Sequence, residues 1–354
     1  MDELLLFCRP GFEVEAGQEM TDALAEKSMA GYFRPDKGSG TVRFMLADGS
    51  VARDAMSAVG LDTRVFVRDW FPVSLSLDLP ESDRVGAVLE CLRAAGGNWQ
   101  AGRVEVRVPE SASTDLSVFA RKWVAPLSQA LRKTGFLGGA DVAGERRLEL
   151  FLPDFETALM GISKAPERSP FLSGAPRLKL PADAPSRSAL KLEEAWKVLL
   201  SEYEQREWLS DGRQAVDLGA APGGWTWQLV RRGMMVTAVD NGPMDEALMA
   251  TGQVTHVQED GYRWRPAHPV DWMVCDIVDR PRRTVDMVGD WLAAGLCRWS
   301  LFNLKLPMKQ RYEEWLICRD LLLERASTED FRVQLSARQL YHDREEITVL
   351  AVAY

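Results

Sequence analysis

Cysteine, histidine and positive charge are all scarce in this chain of 354 residues, and each shortage narrows what it can be. The five cysteines, Cys8, Cys91, Cys275, Cys297 and Cys318, are odd in number, widely spaced and never arranged as CxxC. That excludes a zinc ribbon and points to reduced thiols in a cytoplasmic setting. The three histidines, His256, His268 and His342, are too scattered for a metal cluster, so no metal is expected. No apolar run approaches the ~20 residues that cross a bilayer, so no membrane partner is expected either. The opening MDELLLFCRPGFE lacks the basic segment and small-residue cleavage site of an export signal. Lysine and arginine number 43 against 52 acidic residues, a net charge of −9. General attraction to polyphosphate is thereby excluded, and any such contact must rest on local patches. What the chain does have is core-forming material: 46% of residues are hydrophobic and 27% charged, which suits two or three domains rather than long disorder.

Two stretches carry a basic surplus. Residues 117–147 hold Arg121, Lys122, Arg132, Lys133, Arg146 and Arg147 against Asp141 and Glu145. Residues 164–191 hold Lys164, Arg168, Arg177, Lys179, Arg187 and Lys191 against Glu167 and Asp183. Taken alone, either reads as ordinary solvated surface.

The stretch 163–188, SKAPERSPFLSGAPRLKLPADAPSRS, holds five prolines and little periodicity, so it reads as an extended linker dividing the chain near residue 165. Before it, strand-like LLLFC and TVRFML flank an amphipathic stretch near 14–29. RVFVRDWFPVSLSL at 64–77 follows, then a helix near 81–95 and RVEVRV. A helix near 114–124 is expected to break at Pro126, which suits the first turn of a second short helix. RRLELFL at 146–152 closes an α+β series with no catalytic motif. The expected division is an N-terminal α+β subdomain over 1–60, a second domain over 61–162, the linker at 163–188 and a third domain over 189–354.

Beyond the linker, strand and helix alternate regularly. A helix near 190–206 precedes QAVDLG, MMVTAVD, VTHVQED, DWMVCDI and WSLFNLK, and VQLSARQL and EITVLAVAY end the chain as a pair. Parallel β/α units closed by a hairpin predict a doubly wound, Rossmann-like α/β sheet of seven strands.

Its most informative segment is DLGAAPGGWT at 217–226. Gly219, Gly223 and Gly224 allow the backbone to approach a ligand, although a tight strand–helix connection uses glycines as well. Asp217, Asp240, Asp260 and Asp276 then stand at the ends of four successive strands. Ligands of open α/β sheets bind across the carboxyl ends of the strands, so all four acids are expected to face one crevice. Asp240 follows Asp217 by 23 positions, a spacing that suits a carboxylate on ribose hydroxyls, and Asp260 suits an adenine amino group. The third position of a dinucleotide-binding GxGxxG is Ala221 here and Pro222 stiffens the loop, which argues against a nicotinamide cofactor.

DLGAAPGGW resembles the cofactor motif of S-adenosylmethionine-dependent methyltransferases, in the variant carried by the FtsJ-related ribose 2′-O-methyltransferases. That family uses a Lys-Asp-Lys-Glu tetrad, and the resemblance places it at Lys191, Asp276, Lys305 and Glu346. DNGPM, TGQV, EDG, NLKLPMK and QLYHDREE look like the branch that methylates a cytidine of 23S ribosomal RNA. The resemblance implies S-adenosylmethionine as cofactor, held by Ser188, Gly219, Ala221, Pro222, Gly223, Gly224, Asp240, Asp260 and Asp276. It implies 23S ribosomal RNA as partner, met before the large subunit is fully assembled. It also implies an N-terminal RNA-binding region of ferredoxin-like and THUMP-like layout, where Arg121, Lys122, Arg132 and Lys133 are the candidate phosphate contacts.

The tetrad makes chemical sense by itself. A ribose hydroxyl is a poor nucleophile, and a base must take its proton as the methyl group transfers in line. Lys305 can serve only when neutral, against an ordinary pKa of ~10.4, and a second cation at Lys191 would favour that form. Asp276 and Glu346 would hold the two ammonium groups while opposing the depression. Lys309 is an alternative to Lys305, and Glu345 to Glu346, because one residue of slip turns a strand side chain to the other face. Amino-methylating enzymes place (D/N)PP(Y/F) where this chain has DIVD, and Cys275 lacks the preceding proline of cytosine C5 enzymes. Two other readings stay open: an RNA-binding assembly factor that retains the cofactor pocket, and a 2′-O-methyltransferase of another RNA.

Overall fold

A computed structural model describes residues 2–47, 49, 51–138, 145–327 and 332–354. The chain forms two compact units, Met1–Ala175 and Pro176–Tyr354.

In the first unit, β1 (Glu3–Phe7), α1 (Glu13–Ala25), β2 (Gly31–Asp36), β3 (Thr41–Leu46), α2 (Ala52–Val59) and β4 (Asp69–Val73) build an antiparallel sheet of order β2-β3-β1-β4. A second sheet follows from β5 (Leu75–Asp78), β6 (Arg103–Arg107), β7 (Arg146–Phe151) and β8 (Thr157–Lys164), in the order β5-β8-β7-β6. The helices α3 (Arg84–Ala95) and α4 (Thr114–Lys133) complete it.

Four expectations need correction here. The run 64–77, read as one strand, divides at Ser74 between the two sheets, and β4 pairs with β1. The first sheet therefore reaches past residue 60. Pro126 does not break its helix: α4 is continuous, because Leu116, Ala120, Trp123, Leu127 and Leu131 form one buried stripe whose packing outweighs the lost backbone bond. Both β2 and β8 escaped the sequence reading. β2 is a sheet edge containing Pro35, where a missing N–H is tolerated, and β8 runs into the proline-rich stretch. Finally, residues 165–175 are not free linker. Trp70 Nε1 donates to the Glu167 carbonyl at 2.6 Å, Ser169 N donates to Asp69 at 3.0 Å and Ser173 N to Glu105 at 3.1 Å. Asp141 of the first basic stretch lies outside the described residues.

Between the two sheets of this unit sits a buried ionic cluster. Arg107 bonds Asp69 and Glu149 at 2.8 Å each, and Arg147 reaches Asp69 at 3.0 Å and Glu105 at 2.8 Å. Asp69, Arg147 and Glu149 are fully buried. Such a network stands only because each charge has a partner.

The second unit opens with α5 (Ala189–Leu199) and α6 (Glu202–Trp208), two helices where one was expected, separated by the Ser201–Glu204 capping box. The strands β9 (Gln214–Leu218), β10 (Met235–Val239), β11 (Val254–Val257), β12 (Val270–Cys275), β13 (Cys297–Lys305), β14 (Val333–Arg338) and β15 (Glu346–Ala353) form one sheet of order β11-β10-β9-β12-β13-β15-β14. It is parallel through β13, and β15 runs antiparallel to both its neighbours. The expected seven-stranded α/β sheet with a terminal antiparallel pair is thus present. The helices α7 (Gly224–Val230), α8 (Glu246–Met249), α9 (Pro281–Ala293) and α10 (Arg311–Ala326) connect its strands. A core of Trp196, Trp225, Trp272, Trp299, Leu229 and Val274 seats α5 and α7 on the sheet.

Candidate active site

The β9–α7 connection, the Gly-rich turn, takes its shape from glycine. Gly219 has φ +78°, and a Cβ there would lie 2.5 Å from Ile277 Cγ1. Any larger residue would push the β12 loop away. Beside Gly219 opens a cleft of about 300 Å³ lined by Val239, Asp240, Asn241, Glu259, Asp260, Gly261, Tyr262, Asp276, Ile277 and Val278. Asp240 Oδ2 accepts from Ala221 N at 3.1 Å and Oδ1 from Gly242 N at 2.7 Å, so its carboxylate is oriented by two backbone groups. Asp260 Oδ1 accepts from Tyr262 N at 2.9 Å. A polar-rimmed cleft with two oriented carboxylates offers the acceptors that a nucleoside's hydroxyl and amino donors require.

Not every expected contact is there. Asp217 does not face the crevice: it is buried, accepts from Thr226 Oγ1 at 2.6 Å, and burial pushes its pKa up to about 7. Its place is beneath the turn, tying β9 to α7. Ala221, Pro222, Gly223, Gly224 and Ser188 are not among the residues lining the cleft. A Cβ at Gly223 would meet Leu248 at 2.5 Å, so that glycine serves the packing of α8. The Ser188 hydroxyl bonds Ser186 at 2.7 Å and lies against Gly224, while its carbonyl accepts from Trp225 Nε1 at 3.0 Å.

These contacts pin the start of α5, and with it Lys191. Gln228 Nε2 adds a bond to the Ala189 carbonyl at 2.9 Å. Lys191 Nζ then reaches Asp276 Oδ2 at 3.2 Å and Glu346 Oε1 at 2.6 Å. Lys305 Nζ contacts the other Glu346 oxygen. The four tetrad candidates are therefore one connected cluster at the edge of the cleft, with Asp276 common to both. The β13–β15 register sets Lys305 directly opposite Glu346.

The two alternatives, Glu345 and Lys309, lie apart from this cluster. Glu345 is bonded to Arg311 at 2.7 Å on the exposed face, whereas Glu346 is only 1% exposed. Lys309 lies on the surface four positions beyond the strand end. Burial, and next the adjacent Lys191 ammonium, hold Lys305 below its ordinary pKa, against the pull of Asp276 and Asp343.

Sequence reasoning missed the groups behind the tetrad. Asn303 Nδ2 donates to Asp276 Oδ1 at 2.7 Å, and Thr348 Oγ1 donates to Asn303 Oδ1 at 2.7 Å. Thr348 also faces the buried Asp343 at 3.1 Å, and burial raises the Asp343 carboxyl to about 7. The available signal was period two: Asn303 precedes Lys305 by two positions and Thr348 follows Glu346 by two, which puts each on its partner's face. Among the described residues, no group of three His, Cys, Asp or Glu is placed to hold a metal ion. None of the described helices is long and apolar enough to cross a membrane.

The first basic stretch is also legible in three dimensions. Arg121, Lys122, Arg132 and Lys133 are exposed, and 11 positions along a continuous α4 return them to within ~20° of the same face.

Comparison with known proteins bears on the whole chain. Residues 1–71 match the RlmM ferredoxin-like domain, 83–164 the N-terminal region of ribosomal RNA large subunit methyltransferase M, and 184–301 the FtsJ-like methyltransferase. The ribosomal RNA large subunit methyltransferase M of Marinobacter nauticus is 58% identical, with 98% of each chain covered. The proteins of that name from Chromohalobacter salexigens and Ectopseudomonas mendocina are 45% and 44% identical, over 98% of this chain and 97% and 98% of theirs. The chain belongs to the ribosomal RNA large subunit methyltransferase M family.

Proposed function

We propose that the protein methylates the ribose 2′-hydroxyl of a cytidine in 23S ribosomal RNA, with Lys305 as general base and S-adenosylmethionine as methyl donor. The observation that carries this reading is the Lys191–Asp276–Glu346–Lys305 cluster at the edge of the cleft. When bound, the cofactor supplies an electrophilic methyl group. Asp240, with each oxygen retaining a lone pair beyond its backbone bond, would accept from its ribose hydroxyls, and Asp260 from its adenine amino group. Gly219 lets Ile277 close against the turn and so shapes the cleft wall, and Asp276 would sit where cofactor and acceptor meet.

Lys305 in its neutral form takes the proton of the 2′-hydroxyl as the oxygen attacks in line. Burial and Lys191 favour that neutral form before reaction, and Glu346 receives the ammonium that the reaction creates. Asn303 and Thr348 hold Asp276 so that Lys191 keeps its position. Exposed Arg121, Lys122, Arg132 and Lys133 would contact phosphates from the N-terminal unit, so that a chain of net charge −9 grips RNA locally. The enzyme would act in the cytoplasm, on RNA not yet enclosed in the large subunit. Mass-spectrometric mapping of ribose methylation in ribosomal RNA, with and without the gene, tests the reading. One cytidine 2′-O-methyl group should disappear with the gene, and an unaltered methylation map would refute it.

A further inference from the structure

The cofactor cleft uses only half of the sheet's carboxyl edge. Its lining comes from the segments following β9, β10, β11 and β12. The other half, where β13 ends and β15 begins, contributes Lys305 and Glu346 to the cluster and otherwise borders no part of that cleft.

Two large side chains stand out on that half. Met308, three positions beyond Lys305, is 82% exposed, more than any other large hydrophobic side chain among the described residues. Tyr341, five positions before Glu346, is 40% exposed and carries the Arg177 guanidinium 5.3 Å from its ring centre. The methionine gains nothing from water, and the described residues leave it largely uncovered. Tyr341, by contrast, is not loosely held. The buried Glu194 carboxylate accepts from Tyr341 N at 2.7 Å and His342 N at 3.0 Å, and Asp343 accepts from Leu340 N at 2.9 Å. Glu194 lies three positions after Lys191 on α5, one helical turn along the same face. The residue that anchors the tetrad and the residue that anchors the tyrosine loop thus share a short rigid element.

Resting on the ribose-methylation reading, we propose that Met308 and Tyr341 hold the base of the acceptor nucleotide, and that the acceptor must therefore be unpaired. A 2′-hydroxyl delivered to Lys305 brings its own base within a few ångströms, on the side away from the cofactor. A nucleobase offers a flat π face that suits both a thioether and a phenol backed by a guanidinium. A base sealed in a duplex has both faces stacked and cannot enter.

The test uses the full-length protein and an unstructured RNA containing cytidine, alone or annealed to its complement. Removing one stacking partner should raise the KM for RNA by roughly 5- to 150-fold in Met308→Ala and Tyr341→Ala, while affinity for S-adenosylmethionine stays put. Met308→Leu and Tyr341→Phe should recover most of that loss, which a folding defect would not explain. Annealing should suppress transfer. In a binding arm free of chemistry, 2-aminopurine in the same RNA should be quenched by the parent protein and less so by Tyr341→Ala. KM values within twofold of the parent, equal transfer to the duplex, or unchanged quenching in Tyr341→Ala would overturn the proposal. Failure of the parent protein to methylate any ribose would instead strike the underlying reading, with the quenching arm still deciding whether these residues hold a base.

Discussion

Lys305 is where the chemistry is most exposed to test. A base acts in the transition state, so Lys305→Ala should lose kcat by at least 100-fold while cofactor affinity and the folding midpoint persist. Lys305→Arg should fail as well, because a guanidinium does not deprotonate in proteins. The pH profile follows from the direction of the shift. The reactive form is neutral, so the rate rises with pH and levels off once pH exceeds the lysine's folded pKa, which burial and Lys191 place below the ordinary 10.5. Adding negative charge nearby should delay the plateau, and Asn303→Asp should move it to higher pH; an unshifted profile would detach Asn303 from the base. Asp240→Ala should weaken S-adenosylmethionine binding by about 1–3 kcal/mol, read by calorimetry, because ribose hydroxyls then lose their acceptor. The tetrad was legible in the sequence only through its resemblance to a family. Glu345 and Glu346 are adjacent acids, and nothing but the pairing of Lys305 with Glu346 tells them apart. Asp217 shows the opposite failure. It has the same residue type and strand-end position as its three fellows, yet its Thr226 bond and burial place it under the turn.

At the scale of elements, the regular β/α alternation of the second unit was readable because buried parallel strands are continuous apolar runs. The first unit was harder. β4 and β5 form one strand-like run parted only by Ser74, and their assignment to different sheets rests on distant pairing partners, Leu75 with Met160 for instance, which no local pattern encodes. In α4 a strong local signal, Pro126, lost to five buried side chains. That continuity sharpens a prediction: with both basic pairs on one face, they should act on phosphates together. Neutralising Arg121, Lys122, Arg132 and Lys133 should lower RNA affinity at moderate salt and reduce the slope of log affinity against log salt by about 3, if all four release counterions from single-stranded RNA. Cofactor affinity should not move. An unchanged salt slope in filter binding would send the search for phosphate contacts to the second basic stretch.

For the molecule as a whole, recognition and chemistry are expected to separate. Residues 176–354 hold the cleft, the tetrad and a core of their own. Expressed alone, they should bind S-adenosylmethionine with the affinity of the full chain, yet methylate RNA poorly. Efficient methylation by that fragment would place recognition entirely on the catalytic face. The first unit should not be divisible in the same way. Asp69 belongs to one sheet, and Arg107, Arg147, Glu105 and Glu149 to the other. A cut at Ser74 would strand a fully buried carboxylate on one side and leave two arginines short of it on the other, a loss of about 3–5 kcal/mol for each half if the usual cost of breaking a buried pair applies. Two family modules that look separable in a domain diagram are therefore a single inheritance unit: an exchange with a relative that moves one sheet without the other should give insoluble protein, and one that moves residues 1–175 together should not.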